Sequence, residues 1–124
     1  MIRNMLKSKI HGATVTDANI AYEGSITIDE ELIDATHLME YEKVLVANLT
    51  NGSRLETYVI KGKRGSGDVC ANGAAALHNR PGDKVLIMSF CGLNEEELKN
   101  FHPFIVKVDE RNRIVNRAER TCSR

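Results

Sequence analysis

Residues 43–60 read KVLVANLTNGSRLETYVI, which places Asn51-Gly52 between two runs rich in β-branched and other apolar residues. Asn-Gly is the pair that a two-residue hairpin turn favours, because both central positions of such a turn need a positive φ. Two β-type runs on either side of this pair predict an antiparallel hairpin. The sequence therefore predicts that a β-sheet organises this chain.

Further β-type segments lie on both sides of the hairpin. They are IRNMLKSKI (2–10), ATVTDANIAY (13–22), SITI (25–28), DKVLIMSF (83–90) and PFIVKV (103–108). Two short helices are predicted between them: Asp29 can cap the first, and Asn94 and Glu97 have the spacing of a capping box in the second. Because an open sheet of this size would expose its edges, six or seven short strands with two short helices favour a mainly β fold, a small closed barrel.

The composition fits one domain of 124 residues whose charges balance. Seventeen basic and seventeen acidic side chains cancel, and no basic run interleaves with aromatic residues, so nothing indicates binding to nucleic acid or to an anionic membrane. The first twelve residues are broken by charges, and no apolar run reaches the length of a membrane span. We therefore expect a cytoplasmic protein. Small polar molecules remain possible substrates.

The sequence changes character after Asp109, where ERNRIVNRAERTCSR is polar and charged. Such a composition at a chain end predicts either a mobile tail or an extension that contacts a partner. We therefore expect a single domain over residues 1–108 and a polar C-terminal tail over residues 109–124.

No motif for an external cofactor is present. The chain has no Gly-x-Gly-x-x-Gly after a strand, no Gly-x-x-x-x-Gly-Lys, and no close pairing among its three cysteines and four histidines. Small buried thiols and surface imidazoles account for these side chains better than a metal site does. If the chain is an enzyme, its chemistry has to come from its own side chains or from a group that it makes itself.

Gly24-Ser25, within EGSITID (23–29), is where such a group can form. The pair is also ordinary in turns, because glycine and serine both favour them. Chemically, the Ser25 hydroxyl can attack the Gly24 carbonyl and convert the amide to an ester. Elimination and hydrolysis then leave a pyruvoyl group, a ketone that does the work of pyridoxal phosphate without that coenzyme. The dipeptide alone leaves both interpretations open.

Several stretches carry a wider similarity, in this order: MIRNMLKSKIH, YEGSITID, NGSRLETYVI, RGSG, NGAAA and GDKVLIMSF. In order, spacing and length, up to about residue 108, the chain resembles the family of pyruvoyl-dependent aspartate decarboxylases. The resemblance implies a double-psi β-barrel that cleaves itself between Gly24 and Ser25, giving a β chain (1–24) and an α chain (25–124) that begins with pyruvoyl.

The resemblance also implies the activity and the assembly. The expected reaction is the decarboxylation of L-aspartate to β-alanine and carbon dioxide for pantothenate and coenzyme A synthesis, by a carbon–carbon lyase. The only expected cofactor is the pyruvoyl group derived from Ser25, without pyridoxal phosphate or metal. The expected assembly is a homotetramer with active sites between neighbouring subunits, without nucleic acid or membrane as partners. Whether a maturation factor is needed stays open.

Four residues receive catalytic or substrate-binding roles from this resemblance. Ser25 becomes the pyruvoyl group, and Tyr58 returns a proton to the carbon that has lost carbon dioxide. Arg54 and Lys9 hold carboxylates, since aspartate has two of them and only one leaves. Plainer interpretations exist for three of them: Tyr58 as an ordinary strand aromatic, Arg54 as a charged residue of the hairpin, and Lys9 as a surface lysine.

Thr57 is expected to bind substrate and to assist self-cleavage by a hydrogen bond to the carbonyl at the scissile bond. In a regular strand Thr57 and Tyr58 point to opposite faces. A bulge or a strong local twist would let both side chains reach one site.

The stretch NGAAA and two outlying residues complete the expected site. Its small residues are expected to let backbone groups approach the substrate, at Gly73, Ala74 and Ala75. The Asn72 amide is expected to donate to the oxyanion that develops during cleavage. His11 and Tyr22 are expected to lie around the site, although the sequence alone favours a structural role for each.

Two other functional classes remain open. The chain could be a small, non-catalytic β-barrel that binds a partner, and such a module would migrate intact on a denaturing gel. An ordinary serine hydrolase would need a base and an orienting residue near Ser25, and the sequence assigns neither.

Overall fold

The computed structural model describes residues 1–118, and β-strands dominate this range. In chain order the elements are β1 (Arg3–Thr14), β2 (Asp17–Asn19), β3 (Ser25–Asp29), α1 (Glu30–Thr36), β4 (Lys43–Asn48), β5 (Arg54–Gly62), β6 (Val69–Asn72), a 3₁₀ segment (Gly73–Leu77), β7 (Lys84–Leu93), α2 (Glu95–Leu98), β8 (Phe104–Val108) and β9 (Ile114–Ala118). The predictions of a mainly β fold and two short helices are confirmed. The described residues form nine strands, so the predicted number of six or seven was too low.

The nine strands lie in one sheet in the order β2-β6-β3-β5-β4-β7-β1-β8-β9. The predicted hairpin is β4 and β5, which pair antiparallel from Lys43 opposite Tyr58 to Ala47 opposite Arg54. Gly52 in its turn has a φ of +79°, a value that glycine adopts without steric cost. The pairs β1–β8 and β3–β5 are parallel, so strands distant in sequence lie side by side.

Alternation along β1 shows how the core and the outer face are separated. Ser8 and Ile10 are fully buried, whereas Lys9 and His11, which alternate with them, are partly exposed. Successive side chains of a strand point to opposite faces, so Lys9 and His11 lie on the face of β1 that is turned away from the core. The buried face packs β-branched residues from β3, β4, β5, β6, β7 and β8 into one apolar cluster.

Both predicted helix starts are confirmed. The Asp29 side chain accepts a hydrogen bond from the Glu31 N–H and so caps α1, while Asn94 and Glu97 form the capping box of α2. The buried Asp29 carboxylate also accepts the N–H groups of Gly65 and Gly67 at 2.9 and 2.8 Å, which fixes the loop after β5 to the end of β3. Within the described range, neither helix is long and apolar enough to cross a membrane.

The predicted C-terminal tail differs from the structure over part of its length. Ile114–Ala118 forms β9 and pairs antiparallel with β8, because Ile114 packs against the core. Asn112, 2% exposed, anchors the preceding turn through hydrogen bonds to Thr14 and to the Gly67 carbonyl. The folded domain therefore extends past residue 108, and positions 119–124 of the expected tail lie outside the described residues.

Candidate active site

Gly24-Ser25 lies where the chain enters β3. Gly24 is exposed, whereas Ser25 is 1% exposed and lies opposite Asn72 in the pairing of β3 with β6. The Ser25 hydroxyl donates to the Glu23 carbonyl at 3.2 Å and accepts from Asn72 Nδ2 at 3.0 Å. A buried hydroxyl is thus held in a defined orientation beside the Gly24 carbonyl carbon to which its own residue is bonded.

Asn72 ends β6 and precedes the 3₁₀ segment. Its Nδ2 donates to Ser25 Oγ and to Thr27 Oγ1, both at 3.0 Å, so both N–H groups of the amide are engaged. The structure therefore brings the Asn72 amide to the Ser25 hydroxyl, which occupies one of its two N–H groups. The sequence singled out Asn72 but not Thr27, because only the register of β3 against β6 places the threonine beside the amide.

Gly73 lies directly against the backbone that precedes Ser25. Its φ is +62°, and a Cβ built on it would lie 2.6 Å from Gly24 N, 2.7 Å from Gly24 Cα and 2.8 Å from the Tyr22 carbonyl oxygen. A side chain at position 73 would collide with this segment, so a glycine is required for close backbone approach as well as for its φ. Tyr22 contributes a carbonyl here, while its side chain is largely exposed.

A cavity of about 400 Å³ opens beside the scissile bond. Its lining residues come from the Gly24 turn, from β5 and from the 3₁₀ segment and its end: Gly24, Leu55, Glu56, Thr57, Tyr58, Ala74, Ala75, Leu77 and His78. Gly24, Thr57, Tyr58, Ala74 and Ala75 are therefore brought together, as the sequence predicted. The small alanine side chains leave the backbone of the 3₁₀ segment close to this space.

Thr57 and Tyr58 both line this cavity without a bulge between them. The register of β4 against β5 runs without interruption through these residues. On its other side, β5 pairs with β3 only from Val59 onward, opposite Ile26. The cavity thus lies along a part of β5 that has a neighbouring strand on one side only, and four successive residues of β5 line it: Leu55, Glu56, Thr57 and Tyr58. Strand pairing, which the sequence does not give, resolves the difficulty that alternation raised.

Arg54, exposed at the start of β5, is positioned by contacts that the sequence analysis missed. The His78 carbonyl accepts hydrogen bonds from Asn48 Nδ2 (3.1 Å), Asn51 Nδ2 (2.8 Å) and Ser53 Oγ (3.3 Å). The turn of the hairpin, which leads into Arg54, is thereby fixed to the end of the 3₁₀ segment. The amides and hydroxyls near Asn51-Gly52 were the signal in the sequence for these contacts. Their acceptor, the His78 carbonyl, lies far along the chain.

Lys9 and His11 lie elsewhere on the sheet. In the strand order, β5, β4 and β7 separate β1 from β3. Lys9 pairs with Met88 and with Ile105, and His11 is opposite Lys107 on β8. Among the described residues, the lining of the cavity beside Gly24 includes neither Lys9 nor His11. We refer to Lys9, His11 and Lys107 as the β1 cationic cluster.

The environment of His11 disfavours its charged form. Burial lowers the pKa of the imidazole below its ordinary value of 6.5, and the positive charges of Lys9 and then Lys107 lower it further. His11 is therefore neutral at pH 7.

The contacts around Ser25 suit attack on a backbone carbonyl better than hydrolysis of an external substrate. The partners of its hydroxyl are a carbonyl and an amide, and neither accepts a proton at neutral pH, as the base of a serine hydrolase must. Within residues 1–118, no group of three His, Cys, Asp or Glu side chains could hold a metal ion.

A family model and several known proteins similar to this chain share one description. The family model for aspartate decarboxylase matches residues 1–115. The aspartate 1-decarboxylase of Clostridium kluyveri is 58% identical over 111 residues, covering 90% of this chain and 87% of that protein. That of Caldicellulosiruptor saccharolyticus is 60% identical over 115 residues (93% and 90%). That of Acetivibrio thermocellus is 56% identical over 116 residues (94% and 92%).

Proposed function

The chain belongs to the aspartate decarboxylase family, and on this premise we propose that it converts L-aspartate to β-alanine and carbon dioxide for pantothenate and coenzyme A synthesis. It is then a carbon–carbon lyase, and its electron sink is a pyruvoyl group formed from Ser25. One observation carries the proposal beyond the family name: the buried Ser25 hydroxyl, held by Glu23 and Asn72, lies next to a glycine that lines a cavity.

The proposed self-processing uses only groups of this chain and water. Ser25 Oγ attacks the Gly24 carbonyl carbon, the Gly24–Ser25 C–N bond breaks, and an ester with a free Ser25 amine forms. Loss of the Ser25 Cα proton then expels the Gly24 carboxylate from Cβ and leaves a dehydroalanine. Addition of water and loss of ammonia leave the pyruvoyl group at the new chain start. The sequence predicted that the Asn72 amide donates to the oxyanion, but Ser25 and Thr27 accept from both of its N–H groups. In this proposal the amide therefore supports the first step by orienting the attacking oxygen.

The surroundings of Ser25 fit such a group. Ser25 is shielded from solvent, and Ala74 and Ala75 leave room beside it for a small substrate. A pyruvoyl carbonyl supplies an acceptor for the electrons released when a carboxylate leaves as carbon dioxide. In this proposal the Tyr58 phenol delivers a proton to the substrate carbon, and the Thr57 hydroxyl bonds the substrate.

The two cations in this proposal come from different parts of the fold. Arg54 holds a substrate carboxylate with its planar guanidinium, on the hairpin that His78 fixes to the 3₁₀ segment. Lys9 lies on the outer face of β1 and is not among the residues that line the cavity, so in this proposal a neighbouring subunit presents it. This placement supports a homotetramer with active sites between subunits.

For the sheet, we propose closure into a double-psi β-barrel. The parallel pairs β1–β8 and β3–β5 within a mostly antiparallel sheet support it, because they require crossover connections. The cytoplasmic location stays a prediction, and the need for a maturation factor stays open.

The first experiment is an intact mass spectrum of the purified, denatured protein, combined with an assay for β-alanine. We expect two chains that divide between Gly24 and Ser25, the larger one lighter by one ammonia than a fragment that begins with serine. We also expect β-alanine to form from L-aspartate. A single chain that stays uncut on prolonged warm incubation and forms no β-alanine would overturn the proposal in favour of a non-catalytic binding module.

A further inference from the structure

We propose that Thr27 is a positioning residue for self-cleavage, because its hydroxyl holds the Asn72 amide against the Ser25 hydroxyl. The inference rests on the proposed function, since this positioning affects a reaction only if Ser25 attacks Gly24. It adds to that function Thr27, a residue of the EGSITID stretch to which the sequence analysis gave no role.

The register of two strands creates the arrangement. Ser25 and Thr27 are two residues apart on β3, so their side chains lie on the same face. On β6, Asn72 is opposite Ser25 and Cys70 is opposite Thr27. The Asn72 amide nitrogen lies between the two hydroxyls, 3.0 Å from each. An amide nitrogen carries two hydrogens, so each hydroxyl accepts one of them.

The position of Asn72 makes these contacts unusual. Asn72 is the N-cap of the 3₁₀ segment, where an asparagine ordinarily accepts a hydrogen bond from the following backbone. Its side chain makes no such capping bond, and the residue is 5% exposed. The capping contribution is absent, and the amide is oriented by the two hydroxyls of β3 instead.

This orientation determines how the Ser25 oxygen is presented. Its proton points to the Glu23 carbonyl, and one lone pair accepts from Asn72. The second lone pair remains for attack on the Gly24 carbonyl carbon. Without the Thr27 hydroxyl, one N–H of a nearly buried amide has no acceptor there, which is costly. The amide then turns toward another acceptor and holds Ser25 less well.

Thr27 also has a methyl group that packs, so the test must separate the effect of the hydroxyl from the effect of the methyl. An ideal Cβ at Gly62 would lie 3.1 Å from Thr27 Cγ2, which shows that the methyl fills space beside β5. Thr27→Val keeps this methyl and removes the hydroxyl, whereas Thr27→Ser keeps the hydroxyl and removes the methyl. Thr14→Val is the matched control, because its hydroxyl accepts from Lys84 Nζ on another part of the sheet.

The experiment follows cleavage of the full chain from the moment of synthesis. Wild type and the three variants are made by cell-free translation, quenched into denaturant at intervals, and analysed by intact mass for the fraction divided between Gly24 and Ser25. We expect Thr27→Val to cleave about threefold to tenfold more slowly, the effect of one lost hydrogen bond. Thr27→Ser and Thr14→Val should cleave at nearly the wild-type rate.

A Thr27→Val chain that cleaves at the wild-type rate would overturn the role of Thr27 alone. Equal slowing in Thr27→Val and Thr27→Ser would also overturn it, because packing would then be the cause. A wild-type chain that never divides would overturn the proposed self-cleavage together with this inference. Melting temperatures are measured in the uncleavable Ser25→Ala background, and if Thr27→Val does not fold there, Thr27→Ala replaces it with the same expected slowing.

Discussion

Two groups of polar residues in this molecule are held in different ways. The scissile cluster, which is Gly24, Ser25, Thr27, Asn72 and Gly73, is mostly buried and linked by backbone contact and by two hydrogen bonds of 3.0 Å. The β1 cationic cluster lies on the outer face of the sheet, and three strands separate β1 from β3 in the strand order. In the proposed function, the groups for self-cleavage thus lie together in one chain, whereas those for binding aspartate do not. The two reactions should therefore respond to different mutations.

Ser25→Ala should have the largest effect, with complete loss of both cleavage and decarboxylation, because the attacking oxygen is removed. Intact mass and β-alanine assays measure the two losses. Ser89→Ala is the matched control: Ser89 is another buried serine, and its hydroxyl has no hydrogen-bond partner among the described residues. Residual cleavage between residues 24 and 25 in the Ser25→Ala chain would show that another group attacks this bond.

Gly73→Ala should come next, with cleavage slowed by more than about 100-fold, because the new Cβ cannot share space with Gly24 and Tyr22. Gly82→Ala separates this collision from backbone strain: Gly82 also has a positive φ, of +93°, but nothing lies within 4 Å of its ideal Cβ. That control should cost only about 1–2 kcal/mol of stability and cleave normally. Mass spectrometry and thermal melts test both variants, and normal cleavage by Gly73→Ala would mean that a different backbone arrangement reacts.

Tyr58→Phe should separate the two reactions. Tyr58 is among the residues that line the cavity but is not part of the scissile cluster, so cleavage should stay at the wild-type rate. Turnover should fall by about 10²-fold or more, the usual contribution of a positioned proton donor. Steady-state production of β-alanine measures this loss, and Tyr41→Phe, which alters a neighbouring ring, is the control. Full turnover by Tyr58→Phe would remove Tyr58 from its proposed role.

Lys9→Ala should leave cleavage unchanged and reduce turnover by about 10- to 100-fold, the effect of losing a hydrogen bond to a charged group. Co-production of Lys9→Ala with Ser25→Ala tests where Lys9 acts. If a neighbouring subunit presents Lys9, mixed assemblies contain sites with both intact residues and recover part of the activity. Mixtures no more active than Lys9→Ala alone would mean that each chain uses its own Lys9.

The smallest expected effect concerns the pKa of His11. Lys107→Gln should raise that pKa, because one of the charges that lower it is removed, while burial, the largest cause, remains. A histidine whose folded pKa is depressed binds fewer protons than in the unfolded chain, so stability falls as pH drops below about 6.5. Lys107→Gln should weaken this dependence. Imidazole titration by NMR and thermal melts at two pH values test this prediction. Lys99→Gln, which removes a surface charge at the end of α2, is the control. An unchanged His11 pKa in Lys107→Gln would contradict the prediction.

Local signals in the sequence predicted the parts of the fold that local chemistry determines. Asn51-Gly52 identified the hairpin, and Asp29 and Asn94 identified both helix starts. The four residues of β6 gave no such signal, because their conformation depends on pairing with β2 and β3. The sequence alone did not identify Ile114 as a residue that packs against the core. Ile114 lies in a charged segment, where a single apolar side chain is a weak signal.

In the candidate site, too, local sequence signals identified only part of the arrangement. Ser25, Asn72 and the alanines could be identified because the resemblance gives each of them a role. Thr27 lies in the same stretch as Ser25 but received no role, because its importance depends on which residue of β6 lies opposite Ser25. The collision that a side chain at Gly73 would cause is equally absent from the sequence, since Gly24 is 49 positions away.

The position of β1 gives the proposed processing a consequence for refolding. β1 pairs along most of its length with β7 and also with β8, so this strand of residues 1–24 lies inside the sheet and cannot leave without disrupting it. Before processing, folding is an event within one molecule. Afterwards the same fold is a complex of two chains, and its unfolding is also a dissociation that dilution favours. If the proposed cleavage takes place, a processed molecule that unfolds must therefore find its other part by diffusion, whereas an unprocessed chain need not.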